Sequence, residues 1–230
     1  MSQLIHRNLH PDNIFIDVSN KLTLSDFGNA HSIKLYENKT IPSEYSPSRY
    51  MPLEQLIRFR GEYDEKVDIW STGLIIWEMI AGRPLFSVDS VCELLKFQIE
   101  YFGRIDECIL RKISSEEEKQ YLEQYSSTFE RRDMVEILRA QLLASNVRID
   151  KMSLVEREDY LRDFINRTLQ FNPDSRMSAL TSLSHPFLQT LHPWEQALPK
   201  DEKEALKALE QHIRKEIAAA PINLGENMQH

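Results

Sequence analysis

The chain has 230 residues, 41% apolar and 9% aromatic, enough to bury a sizeable core, so disordered and fibrous classes are excluded. Lys and Arg number 28 against 36 Asp and Glu, a formal charge of −8; this disfavours a broad footprint for nucleic acid or an anionic membrane and makes any basic site local. The most apolar stretch, Leu74–Ile80, carries Glu78 and falls far short of the roughly 20 residues of a membrane span, and the first residues lack the pattern of a secretion signal. Cys92 and Cys108 stand apart from each other and from any His cluster. They offer no disulfide framework and no metal-site spacing, and are expected as two buried thiols of a reducing compartment, cytoplasmic or nuclear.

In chain order, residues 14–18 (IFIDV) and 21–25 (KLTLS) predict two short strands joined by a tight turn at Ser19-Asn20. With that turn the numbers of facing residues sum to 39, so 18 faces 21, 14 faces 25 and 13 faces 26. From Asp26 to about Gly61 the residues are polar and interrupted by Pro42, Pro47 and Pro52, an irregular segment of a length usually tied to function or disorder. Asp64 is placed to cap a helix over Val67–Ala81, stopped by Gly82 with Pro84 just beyond. That helix is apolar on nearly every face and belongs in the middle of a core, with Trp77 and Met79 read as core residues. Helical periodicity follows at 90–102, about 116–126 with Glu116–Glu118 as a surface start, about 130–144, 154–170, 176–184 and 201–218. In the last of these Leu206, Leu209, Ile213 and Ile217 share one face, expected to pack on the chain's own lobe. The fold class is mainly α with a short β-hairpin at its start.

In the expected register Asn13 faces Asp26. Opposed Cα atoms lie about 4.5–5.5 Å apart, which lets a carboxylate and an amide oxygen converge on a hard cation such as Mg²⁺. An Asn facing an Asp at a hairpin base also serves plain turn chemistry, so the surrounding motifs decide between the two.

His6-Arg7-Asn8-Leu9-His10-Pro11-Asp12-Asn13 followed by Asp26-Phe27-Gly28 resembles the catalytic loop (H-R-D-L-K-P-E-N) and the magnesium loop (D-F-G) of eukaryotic protein kinases, at matching spacing. Tyr50-Met51-Pro52-Leu53-Glu54 is similar to Y-M-A-P-E, and Asp68-Ile69-Trp70-Ser71-Thr72-Gly73 to D-x-W-S-x-G. Asn172-Pro173-Asp174-Ser175-Arg176 and His185-Pro186-Phe187 resemble D-P-x-x-R and H-P-F. Six motifs in order over residues 6–187 leave chance negligible. The chain is identified as resembling the C-terminal lobe of a protein kinase, with the polar-helical insertion at about 104–158 similar to that of the CMGC group of cyclin-dependent, MAP and SR-protein kinases. The implied organisation is a C-lobe over 1–190, with catalytic loop 6–13 and activation segment 26–54, and a helical tail over 191–230.

The resemblance implies phosphoryl transfer from ATP with Mg²⁺, with Asn13, Asp26 and Gly28 on the nucleotide side and Asn13 and Asp26 at the metal. Arg7, Asp68 beneath the catalytic loop and a Glu54–Arg176 ion pair are the implied structural residues. Three positions depart from the family. Asn8 stands where an Asp accepts the proton of the attacking hydroxyl, which an amide cannot do. His10 stands where a Lys neutralises the transferring phosphoryl group, an imidazole in place of a permanent ammonium. Pro47 replaces the hydroxyl residue that bridges those two, with Ser46 and Ser48 as displaced neighbours.

No Gly-rich loop is recognisable among only six glycines, so the N-terminal lobe is expected to be absent and ATP binding by this chain alone is doubtful. The helix that would run into His6 is expected to be missing too, leaving a hydrophobic groove beside the 67–81 helix. Three readings follow: a truncated kinase with negligible activity, a pseudokinase module that docks a protein partner or the missing lobe, and an active kinase fragment that tolerates Asn8. Ser43-Glu44-Tyr45 resembles the T-x-Y switch of MAP kinases, with Arg7 as a receptor for phosphate, although a polar loop produces such triplets readily.

Overall fold

A computed structural model describes residues 4–19, 21–32, 48–57, 64–88, 90–144 and 158–191. Two small antiparallel sheets open the chain. Strand β2 (Ile14–Ile16) pairs with β3 (Leu22–Leu24), and β1 (Leu4–Ile5) pairs with β4 (His31–Ser32). The second pairing has no sequence signal, since two-residue strands carry no periodicity.

The hairpin register corrects the expected one by a residue. Ile14 faces Leu24 and Ile16 faces Leu22, so facing numbers sum to 38 and Asn13 does not sit opposite Asp26. The cause is the loop. Asp17 Oδ1 accepts from Ser19 N at 2.7 Å, Ser19 Oγ at 2.6 Å and Lys21 N at 2.9 Å, and Asp17 N donates to Lys21 O at 3.1 Å. An aspartate turn thus closes five residues where a two-residue turn was expected. Those donors also hold the Asp17 carboxyl below its ordinary value, the Ser19 hydroxyl foremost.

Helix α1 (Leu53–Leu56) precedes α2 (Lys66–Ala81), whose first turn Asp64 caps by accepting from Lys66 N at 2.9 Å. At its end Gly82 takes the left-handed conformation, φ 70°, that lets its N–H close on Glu78 O. Trp70 and Trp77 are wholly excluded from solvent. Met79 is not; at 77% exposure it corrects the core assignment, its side chain facing away from the buried residues of α2.

The following helices are α3 (Val91–Phe102), α4 (Glu107–Leu110), α5 (Glu116–Ser126), α6 (Met134–Ala144), α7 (Glu158–Thr168), α8 (Ala179–Leu183) and α9 (Pro186–Leu191). Ser90 and Ser115 cap α3 and α5, and Glu116–Glu118 form the exposed first turn of α5 as expected. Helix α6 starts at Met134, later than its periodicity suggested, because Asp133 Oδ1 accepts from Val135 N and Glu136 N. Residues 176–184 are not one helix: a 3₁₀ turn over Pro173–Ser175 leads to extended Arg176, and Ser178 caps α8 by accepting from Thr181 N at 3.1 Å.

Helix α2 packs against α6 and α7. Its contact with α7 depends on Gly73, where a Cβ would lie 2.6 Å from Thr168 Oγ1 and 2.9 Å from Leu169 Cδ2. Trp70 meets Phe102 edge-on at 4.9 Å between centroids, with Phe171 on another side.

Two compact units divide the chain, residues 1–182 and 183–230. In the second, His185 Nδ1 accepts from Phe187 N at 3.1 Å at the start of α9. The expected helix over 201–218, and Pro42, Ser43, Tyr45, Ser46 and Pro47, lie outside the described residues. Cys92 and Cys108 are both exposed, which corrects the expectation of buried thiols; Cys92 lies on the solvent side of α3, whose Leu94, Ile99 and Phe102 are buried, and Cys108 in the single turn α4 beside buried Ile109 and Leu110. Among the described residues no helix is long and apolar enough to cross a membrane.

The expected apolar opening beside α2 reduces to Met79 as its one exposed large apolar residue. Larger exposure falls on the hairpin: Phe15, Ile16, Leu22 and Leu24 are all solvent-facing, with Leu4 and Phe27 on the neighbouring strand and turn.

Candidate active site

The loop between β1 and β2 is suspended from α2 by one carboxylate. Asp68 Oδ2 accepts from His6 N at 2.7 Å and Oδ1 from Arg7 N at 2.9 Å, across 62 and 61 residues of sequence. Burial pushes the Asp68 carboxyl above its ordinary value, and the two amides, with the charges of His6 and Arg7, oppose that shift. Arg7 has φ 69°, a left-handed conformation uncommon for a residue with a Cβ; the pair of bonds to Asp68 holds the backbone there. The His6 ring lies against Phe27 at 4.9 Å and bonds Ser25 O at 2.9 Å, tying this loop to the chain after β3.

Despite the shifted register, Asn13 and Asp26 meet. Ser25 N donates to Asn13 O at 3.0 Å, and Asp26, the next residue, turns back through a left-handed conformation, φ 57° and ψ 64°. Its Oδ2 accepts from Asn13 Nδ2 at 3.4 Å and from Asn8 Nδ2 at 3.1 Å. Gly28 follows in a 3₁₀ turn, where a Cβ would come within 3.3 Å of Asp26 Oδ1.

Asn13 is the hub. Its Nδ2 donates to Asn8 O at 2.9 Å and lies 2.9 Å from His10 Nε2. An amide nitrogen only donates, so His10 Nε2 accepts and the ring hydrogen sits on Nδ1, which faces Asp12 at 3.6 Å. The His10 ring stacks on Tyr50 at 6.2 Å between centroids. The Tyr50 hydroxyl donates to Glu78 Oε2 on α2, a link no sequence motif announced. Burial, then the bond to Glu78 and its charge, push the Tyr50 phenol well above its ordinary value.

Beside His10 a cleft of about 300 Å³ opens, lined by Asp12, Ser48, Arg49, Tyr50 and Ser90 among others.

Beneath the site Glu54 and Arg176 form a bidentate pair, 2.5 Å and 2.8 Å, both side chains fully buried. The same guanidinium also donates to the carbonyls of Gln170, Lys66 and Phe171 and covers the Trp70 ring at 5.0 Å. The structure therefore gathers Arg7, Asn8, His10, Asn13, Asp26 and Gly28 around one loop and places Glu54, Asp68 and Arg176 as its supports.

The oxygens that could meet a hard cation are those of the Asp26 carboxylate and the Asn13 carboxamide. Asn13 turns its nitrogen to Asn8 O, which leaves its oxygen for such a role, so the pair fits a cation shared with phosphate oxygens. Among the described residues no group of three or more His, Cys, Asp or Glu could hold a metal unaided.

Residues 1–188 match the family model described as protein kinase domain. The chain is 28% identical over 193 residues to the mitogen-activated protein kinase mpkA of Aspergillus fumigatus, covering 83% of this chain and 42% of that protein. It is 29% identical over 189 residues to the mitogen-activated protein kinase HOG1 of Wallemia sebi, 82% and 60% of the two chains. It is 28% identical over 208 residues to the mitogen-activated protein kinase KSS1 of Saccharomyces cerevisiae, 88% and 51%. The chain thus spans about half the length of the curated relatives it matches.

Proposed function

The chain belongs to the protein kinase domain family, of the CMGC type that includes the MAP kinases, and on that premise we propose a kinase-type domain in which phosphate transfer from ATP to protein Ser or Thr is absent or very weak. The observation that carries this reading is Asn8: its amide stands at the proton-accepting position of the catalytic loop and donates to Asp26. Arg7 and Asp68 hold the loop in place, and Asn13 and Asp26 are the residues that would share Mg²⁺ with the phosphates of ATP. When bound, the cation neutralises developing phosphate charge. His10 spends its Nε2 lone pair on Asn13 and brings no ammonium to the transferring group.

Incubation with radiolabelled ATP, Mg²⁺ and basic or Ser-Pro peptides tests the reading. Incorporation no greater than that of Asp26→Ala is expected; incorporation clearly above it points instead to an active kinase that tolerates Asn8.

A second reading, a module that docks a protein partner, is favoured by the apolar residues exposed on the hairpin, Phe15, Ile16, Leu22 and Leu24. The two readings are compatible, since neither requires transfer by this chain.

A further inference from the structure

Residue 8 touches both members of the metal-side pair, by different atoms. Its backbone carbonyl accepts from Asn13 Nδ2 at 2.9 Å, and its side-chain amide donates to Asp26 Oδ2 at 3.1 Å. A carboxylate only accepts, so the Asn8 amide must present its NH₂ to Asp26. The same Asp26 oxygen also has Asn13 Nδ2 at 3.4 Å, a longer contact because that NH₂ is shared with Asn8 O and His10 Nε2. A carboxylate at position 8 could not make this contact. Two carboxylates at such a separation repel and call for a proton or a cation between them.

We propose that Asn8 is a latch for Asp26, a neutral donor that occupies the carboxylate where a divalent cation would otherwise be needed and so holds Asp26 in its left-handed turn without metal. Asn8 is in this sense a positioning residue, and the consequence is a low demand for divalent ions. The inference rests on the assignment of Asn13 and Asp26 as the metal-side pair. Because the contact to Asn13 runs through the backbone, replacing the Asn8 side chain changes Asp26 alone.

The test uses Mn²⁺ alone as the probe, with the free ion counted by electron paramagnetic resonance on the full chain, and needs no phosphoryl transfer. The native chain is expected to bind Mn²⁺ no better than Asp26→Asn, a variant whose side chain tolerates the left-handed backbone. Asn8→Asp is expected to tighten Mn²⁺ binding by about tenfold or more, as a like-charged pair takes up a cation, and adding Asp26→Asn should remove the gain. Native binding that Asp26→Asn abolishes, or no gain in Asn8→Asp, overturns the latch. Should Asn8→Asp fail to fold, Asn8→Ala removes the donor without adding charge; it should create Asp26-dependent Mn²⁺ binding, and its failure to do so overturns the proposal. Phosphate incorporation by the native chain would defeat the functional reading while leaving this measurement to stand by itself.

Discussion

Glu54 of α1 and Arg176, separated by 122 residues, form a bidentate ion pair with both side chains fully buried. All five guanidinium hydrogens have acceptors, since Arg176 also serves the carbonyls of Lys66, Gln170 and Phe171. Arg176→Met is expected to cost about 3–5 kcal/mol, because it strands the Glu54 charge in the core. Glu54→Leu with Arg176→Met should recover only part of that loss, the three carbonyls remaining without their donor. Urea unfolding midpoints of the two variants decide it; an equal loss in both would show that the stranded charge matters little.

At Gly73 local propensity and packing oppose each other. Alanine gains about 1 kcal/mol over glycine inside a helix. Here its Cβ would overlap Thr168 and Leu169 on α7, and overpacking costs about 1–3 kcal/mol. Gly73→Ala is expected to lower the melting temperature. A rise would mean that α2 and α7 separate without cost.

The Tyr50–Glu78 link carries a pH signature. A phenol whose value in the folded chain lies above its unfolded value of 10.0 contributes stability fully present below pH 10 and lost as pH rises through the folded value. Ultraviolet titration should therefore show a late-ionising tyrosine that is missing from Tyr50→Phe. Glu78→Gln removes the charge and should let that tyrosine ionise earlier, while Tyr50→Phe at neutral pH should cost about 1 kcal/mol. An unchanged titration in Glu78→Gln would refute the role of the carboxylate.

On the proposed reading, rescue of transfer is expected to need two changes together. Asn8→Asp restores the proton acceptor and His10→Lys the cation. Placed behind a complete kinase N-lobe with its Gly-rich loop, the double variant should raise phosphate incorporation by at least about 10²-fold, the low end of general-base catalysis. No gain over the same fusion with Asn8 and His10 would show that the deficit lies elsewhere.

The hairpin offers a direct probe of its exposed surface. Ile16 and Leu22 face each other in the register and are 65% and 62% exposed. The native chain is expected to bind a hydrophobic dye while folded, and Ile16→Lys with Leu22→Lys should reduce that signal and any self-association seen in sedimentation. A dye signal unaffected by the two substitutions would place the sticky surface elsewhere.

Local chemistry made much of this protein legible from residue order alone. The span of α2 follows from the Asp64 cap, the apolar run and Gly82, and the starts of α3 and α5 from Ser90 and Ser115, because capping and helical period act within one or two turns. The catalytic-loop motifs, and with them Asn8 and His10 as departures, are likewise contiguous words. Tertiary structure decided the rest. The hairpin register hung on the Asp17 side chain closing its own loop, one residue away from the expected turn. The exposure of Met79, Cys92 and Cys108 could not be read from composition, since which face of a helix is covered depends on neighbours distant in sequence. The Asn8–Asp26 contact arises because Asp68 fixes one loop from below, while the left-handed turn at Asp26 brings the other back over it. Two side chains 18 residues apart are brought to 3.1 Å by backbone anchors that neither residue encodes.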